Sequence, residues 1–142
     1  MSNGQPITEA NIKAMLDELK VKYPEEMEWS ADPKYDYYSP KFGNGGGCNS
    51  FAYILSDTIF GKEAPLTKHQ NFDQLKVGDI VWSKNSENGY SHLCVVTEID
   101  SSGLFFRGCS GNVSGKVSWT DLGEFKYYKT PECSDSFIYS RY

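Results

Sequence analysis

The stretch GNGGGCNSFAYILSDTIFG, residues 43–61, changes character abruptly at Cys48, and the rest of the chain is read outward from that point. Four of the five residues before the cysteine are glycine. Glycine at that density permits positive φ and lets other groups approach the main chain closely, while weakening any helix or strand that runs through it. After Cys48 the pattern reverses. Phe51, Ala52, Leu55 and Ile59 recur at about helical spacing, Ser50, Ser56 and Asp57 line another side, and Gly61 ends the run. The pattern predicts a buried helix with Cys48 in its first turn. Unpaired N–H groups and the helix dipole there favour a thiolate.

Towards the N-terminus, Thr8 is placed to cap a helix in which Ile12, Met15, Leu16 and Leu19 repeat at 3.6-residue spacing, with Pro24 as its latest end. Residues 25–47, rich in Tyr, Asp, Pro and Gly and carrying Trp29, Tyr35, Tyr37 and Tyr38, read as a long irregular segment. Such segments usually have a functional reason or are disordered. Towards the C-terminus, a polar link containing Pro65 leads to VGDIVW, where Gly78 and Asp79 turn the chain into a strand. Further strands are predicted at HLCVVTEI (92–99), GLFFRG (103–108), GKVSW (115–119) and SFIYSRY (136–142). The turn at Asp100–Gly103 makes its two flanking strands antiparallel. Helices first and strands after them predict an α+β fold, with the helices packed on an antiparallel sheet of about four to six strands.

The gross properties set bounds on function. A chain of 142 residues, 39% hydrophobic and 23% charged, suits a single domain over 1–142. With a net charge of −5 and 14 basic residues that form no stripe, it is not expected to bind nucleic acid. No run reaches the roughly 18 apolar residues of a membrane span, and MSNGQPITEA lacks the order of a signal peptide. The four cysteines, at 48, 94, 109 and 133, form no CxxC pair, and two histidines are few for zinc. Asp32 and Asp36 supply too few oxygens for calcium. No cofactor or metal is expected, and the chain is expected to be a monomer.

Cys48 at a helix head and His92 at the start of a strand are both rim positions, which a sheet packed on the helix can bring together. Cysteine is nucleophilic enough to attack an amide carbonyl. An imidazole within about 3 Å holds it as thiolate and later protonates the leaving amine. The Cys48 N–H is placed to help bind the developing oxyanion. Against this stands the ordinary role of a lone cysteine on a helix as a small core residue, and of a lone histidine as incidental.

The ordered words GGGCNSFAYILSDTIFG, KVGDIVW, HLCVV, SGNVSGKVSW and IYSRY resemble the CHAP and NlpC/P60 superfamily of papain-like amidases and peptidases, most closely the CHAP-like domains of Gram-positive bacteria. The likeness covers about residues 40–142. It implies a papain-like fold and a peptidoglycan hydrolase, either an N-acetylmuramoyl-L-alanine amidase or an endopeptidase, working on peptidoglycan or muropeptides in the cell envelope or outside the cell, with a cytoplasmic location or export by another route as the alternative. It also implies Cys48 as nucleophile and His92 as base. Members often carry EGN where this chain has Ser110, Gly111 and Asn112, so the acid that orients the histidine is missing from its usual place. Asn112 or Ser110 is then the candidate orienter, and both are equally readable as turn residues. Tyr38, where several relatives have a tyrosine, is a candidate oxyanion donor or substrate contact, and Trp29 a candidate substrate contact. Two alternatives stand beside hydrolysis: a catalytically weak wall-binding or effector-like domain, and a thiol-dependent transferase or deamidase acting on a protein.

The remaining features have plainer expectations. Cys94 and Cys109 read as core residues or as a disulfide between neighbouring strands, Cys133 as free, and Trp82 and Trp119 as core. Asp57 reads as helix surface, Asp79 as a turn initiator, and His69 as part of a polar linker.

Overall fold

The computed structural model describes residues 1–142. Helix α1 spans Glu9–Lys22; its Thr8 hydroxyl accepts the Asn11 N–H at 3.1 Å, satisfying one of the donors left free at a helix start. It buries Ile12, Met15, Leu16 and Leu19, the stripe expected from their spacing. Helix α2 spans Cys48–Phe60 and is closed by Gly61 at φ 100°. Between the two helices the chain is more regular than its composition predicts. A turn of 3₁₀-helix at Pro33–Tyr35 precedes a hairpin of β1 (Tyr37–Ser39) and β2 (Gly43–Gly45).

Six strands follow: β3 (Thr67–His69), β4 (Ile80–Lys84), β5 (Ser91–Ile99), β6 (Phe105–Val113), β7 (Lys116–Glu124) and β8 (Phe137–Ser140). They form one antiparallel sheet in the order β3-β8-β4-β5-β6-β7. The architecture is mixed α+β, with two helices packed on a multi-stranded antiparallel sheet. His69, expected in a linker, lies on the short edge strand β3.

Alternation along the strands sorts side chains onto two faces. On one, Leu93, Val95, Cys109 and Val117 join Ile12, Leu16, Phe51, Leu55 and Ile59 of the helices in the larger core. On the other, Val81, Cys94, Val96, Phe106 and Ile138 meet Phe72 and Leu75, with Phe125 and Tyr128 laid over them. Cys94 and Cys109 therefore belong to opposite faces. Both are buried free thiols, and no disulfide joins them.

Helix α2 is fastened at both ends. At its head, Trp29 donates Nε1–H to the Gly47 carbonyl at 2.9 Å and packs edge-on against Phe51. Farther along, Asp57, expected on the helix surface, is instead buried: it pairs with Arg141 Nη1 at 2.8 Å and accepts the Tyr37 hydroxyl at 2.7 Å. Burial of the carboxylate is possible because the penultimate residue of the chain folds back onto the helix and supplies the countercharge. Asp79 is also buried. It accepts the Lys76 N–H at 2.9 Å from three residues back, so it closes the Lys76–Asp79 turn where the sequence suggested that it opens one, and burial raises its pKa. No helix is long and apolar enough to cross a membrane.

Candidate active site

The glycine run has a local cause at Gly47, which precedes α2 with φ 59° and ψ −127°, a conformation closed to residues with a side chain. A Cβ there would also stand 3.1 Å from Asn112 Nδ2. The bare backbone lets the β6–β7 hairpin lie against the helix head. Cys48 follows directly, its backbone N–H among those that begin the helix without an intrahelical acceptor.

Cys48 and His92 line one cavity of about 690 Å³. It opens on the sheet face away from α1 and α2, since His92 shares its side of β5 with Cys94 and Val96. Tyr127, Tyr128, Glu132 and Cys133, from the 3₁₀ segments after β7, form another wall. Cys48 reaches the cavity from the end of its helix, and His92 from the beginning of its strand. Tyr90 stacks beside the imidazole at a centroid distance of 6.1 Å.

Cys48 Sγ donates to Asn49 Oδ1 at 3.4 Å. The thiol and the His92 ring are close enough for each to move the other's pKa. Burial opposes a thiolate at Cys48, but His92, the Leu93 N–H and the Cys48 N–H outweigh it, so the thiol lies below its ordinary value. His92 is treated in the opposite sense. Burial alone would lower it, yet Asp121 and Cys48 raise it to about 9. Burial pushes the thiols of Cys94 and Cys109 upward, which leaves them inert by comparison.

The His92 ring meets one of the two expected orienters and one carboxylate not singled out in the sequence. His92 Nε2 lies 2.8 Å from Ser110 Oγ and 3.2 Å from Asp121 Oδ2, and Ser110 Oγ donates to the same carboxylate oxygen. Asn112 makes no hydrogen bond to the ring. It sits exposed at φ 58° in the β6–β7 hairpin, with its amide turned to Gly47. Of the two residues named from the sequence, Ser110 meets His92 and Asn112 does not. Asp121 was not legible beforehand; its only sequence signal is an acid three residues after a serine in a predicted strand, and such spacing normally separates faces.

The two expected substrate contacts lie elsewhere. Trp29 is buried among Tyr23, Tyr35 and Phe51, its indole committed to Gly47, so it holds the helix head and offers no surface to a ligand. Tyr38 is exposed beside a separate depression with Asp36, Asn44 and Gly46. The groups that do face the cavity, beyond the central ones, include Lys84, Tyr90, Val113 and Leu122. The cavity thus holds a thiol made more acidic than usual, an imidazole made more basic and a carboxylate beside that imidazole. No protein-family model, curated protein or solved structure matches the chain.

Proposed function

We propose that the chain is a papain-like cysteine hydrolase of amide bonds, acting on peptidoglycan. The observation that carries the proposal is the cavity shared by Cys48 and His92, in which the thiol's pKa falls and the imidazole's rises. Shifts of these opposite signs favour thiolate beside imidazolium over the neutral pair, whereas a thiol and an imidazole in water would both be mostly neutral at pH 7. The peptidoglycan assignment rests on the resemblance of the ordered sequence words to CHAP-like domains.

The thiolate of Cys48 attacks the amide carbonyl, forming a carbon–sulfur bond and moving the carbonyl electron pair onto oxygen. The Cys48 N–H at the start of α2 donates to that oxyanion. Collapse of the intermediate breaks the carbon–nitrogen bond, and His92 gives its proton to the departing amine. Water then attacks the thioester while His92 takes one of its protons. The acid is released and the thiolate restored, so that one amide and one water become one acid and one amine.

The test is incubation with defined muropeptides and intact sacculi beside a Cys48→Ala control, with soluble products weighed by mass spectrometry. An N-acetylmuramoyl-L-alanine amidase frees the stem peptide from the lactyl sugar, whereas an endopeptidase leaves the sugar on a shortened peptide. Cleavage at the muramoyl amide, absent in Cys48→Ala, is the expected result. Saturable binding of sacculi by both proteins without products contradicts hydrolysis and favours a wall-binding domain. Absence of both binding and cleavage overturns the peptidoglycan assignment and redirects the search to protein amides.

A further inference from the structure

The geometry points to Asp121, on the edge strand β7, as the positioning carboxylate for His92, acting directly on Nε2 and through the hydroxyl of Ser110. The inference rests on the Cys48–His92 reading above and assigns the acid whose usual place in the sequence is occupied by Ser110.

A register shift puts Asp121 there. Gly108 of β6 is opposite Asp121 while Ser110 is opposite Ser118, so β7 spends three residues where β6 spends two. In an unbroken strand, positions 118 and 121 would face opposite sides of the sheet. The extra residue returns Asp121 to the side occupied by Ser118, Ser110 and His92. Bulges of this kind re-aim side chains beside active sites. Val117 and Trp119 meanwhile stay in the helix-side core, fixing the strand on either side of Ser118.

The three polar groups form a closed set. Ser110, almost fully buried, donates its hydroxyl hydrogen bond to Asp121 Oδ2, which leaves its oxygen free to accept the Nε2–H of His92 at 2.8 Å. Asp121 Oδ2 accepts from the same N–H at 3.2 Å. With Nε2 holding a proton toward the carboxylate, Nδ1 is the nitrogen left for Cys48. The ring is thus fixed in both tautomer and direction, and its charged form has a counterion behind it. His92 and Asp121 are each about one-fifth exposed, so water weakens this attraction only partly.

Other ionisable groups line the same cavity as the ring. Cys48 faces it from α2, Cys94 and Tyr90 from β5 and the turn before it, and Lys84 from β4. Tyr127, Tyr128, Glu132 and Cys133 face the same cavity from the segments after β7. Among all of these only Asp121 combines a negative charge with a hydrogen bond to the imidazole.

The test uses the full chain and needs no substrate, so its failure is separable from failure of the hydrolase assignment. Histidine labelled with ¹⁵N is titrated by NMR, and Cys48 alkylation by iodoacetamide is followed against pH with the label mapped by mass spectrometry. In the wild type, the neutral ring above pH 9 should carry its proton on Nε2. Asp121→Asn, close in shape, should lower the His92 midpoint by about one pH unit or more and move the acid limb of Cys48 alkylation downward with it, because loss of a neighbouring negative charge makes imidazolium and thiol alike give up a proton more readily. Ser110→Ala should shift both less, because the carboxylate remains beside Nε2. Exchanging the two groups, Ser110→Asp with Asp121→Ser, should recover most of the wild-type midpoint. A wild-type ring protonated on Nδ1 overturns the assignment whether or not any variant folds. So do a folded Asp121→Asn with both midpoints unmoved, and a Ser110→Ala effect equal to that of Asp121→Asn.

Discussion

Replacing Arg141 with methionine should be among the most damaging single changes outside the cavity. The guanidinium and the Asp57 carboxylate are 1% and 2% exposed and meet at 2.8 Å. Methionine keeps much of the side chain's length and apolar contact, including the position over the Phe42 ring, but removes the countercharge. Asp57 would then retain only the Tyr37 hydroxyl as a strong partner. Leaving one member of a buried pair unmatched costs about 3–5 kcal/mol. For a domain of this size that corresponds to a fall in Tm of roughly 10–15 °C. Urea unfolding at pH 7 measures the loss, and the double variant Asp57→Leu with Arg141→Met should recover at least half of it, since an apolar pair leaves no buried charge. A loss below about 1 kcal/mol in Arg141→Met, or no recovery in the double variant, would refute the claim that the pair closes α2 against the C-terminus.

Gly47→Ala should cost about 1–3 kcal/mol, because φ 59° with ψ −127° excludes a side chain and the new Cβ meets Asn112; urea unfolding would read the loss, and slower alkylation of Cys48 should accompany it. A second outcome concerns pH. His92 is raised from 6.5 to about 9 in the folded chain, so its interactions stabilise fully below about pH 6.5 and are lost as the pH rises through about 9. That interval bounds the contribution at roughly 3 kcal/mol. Denaturant unfolding at pH 6.5 and 9.5 should therefore show a larger loss in the wild type than in His92→Gln; equal losses would contradict the assigned shift.

Much of this molecule can be read before its coordinates are known, and the part that cannot has a definite physical origin. Helix α2 is legible because Phe51, Leu55 and Ile59 repeat while glycine flanks both ends, and α1 because Thr8 and Pro24 bracket an equally regular stripe. Strands β4 to β8 announce themselves by apolar runs between turn residues. The β1–β2 hairpin does not, since one of its strands is Gly43–Gly45, whose sequence disfavours a strand and whose pairing depends on the partner. Cys48 and His92 can be named as candidates because each begins an element. Asp121 could not, because its face depends on a bulge that alternation does not foresee. Trp29 misled for a related reason: an aromatic in a polar segment reads as exposed until a backbone carbonyl, here that of Gly47, is found waiting for its indole.

The central proposal is that Cys48 is the most reactive of the four cysteines, and competitive alkylation tests it directly. The native chain is treated with less than one equivalent of iodoacetamide at pH 6.5, quenched, unfolded and mapped by mass spectrometry. Cys48 should carry nearly all the label, and Cys94 and Cys109, buried free thiols with raised pKa values, should react only after unfolding. Labelling of Cys133 ahead of Cys48, or a Cys48 rate that rises only near the ordinary thiol pKa of about 8.5, would contradict the account.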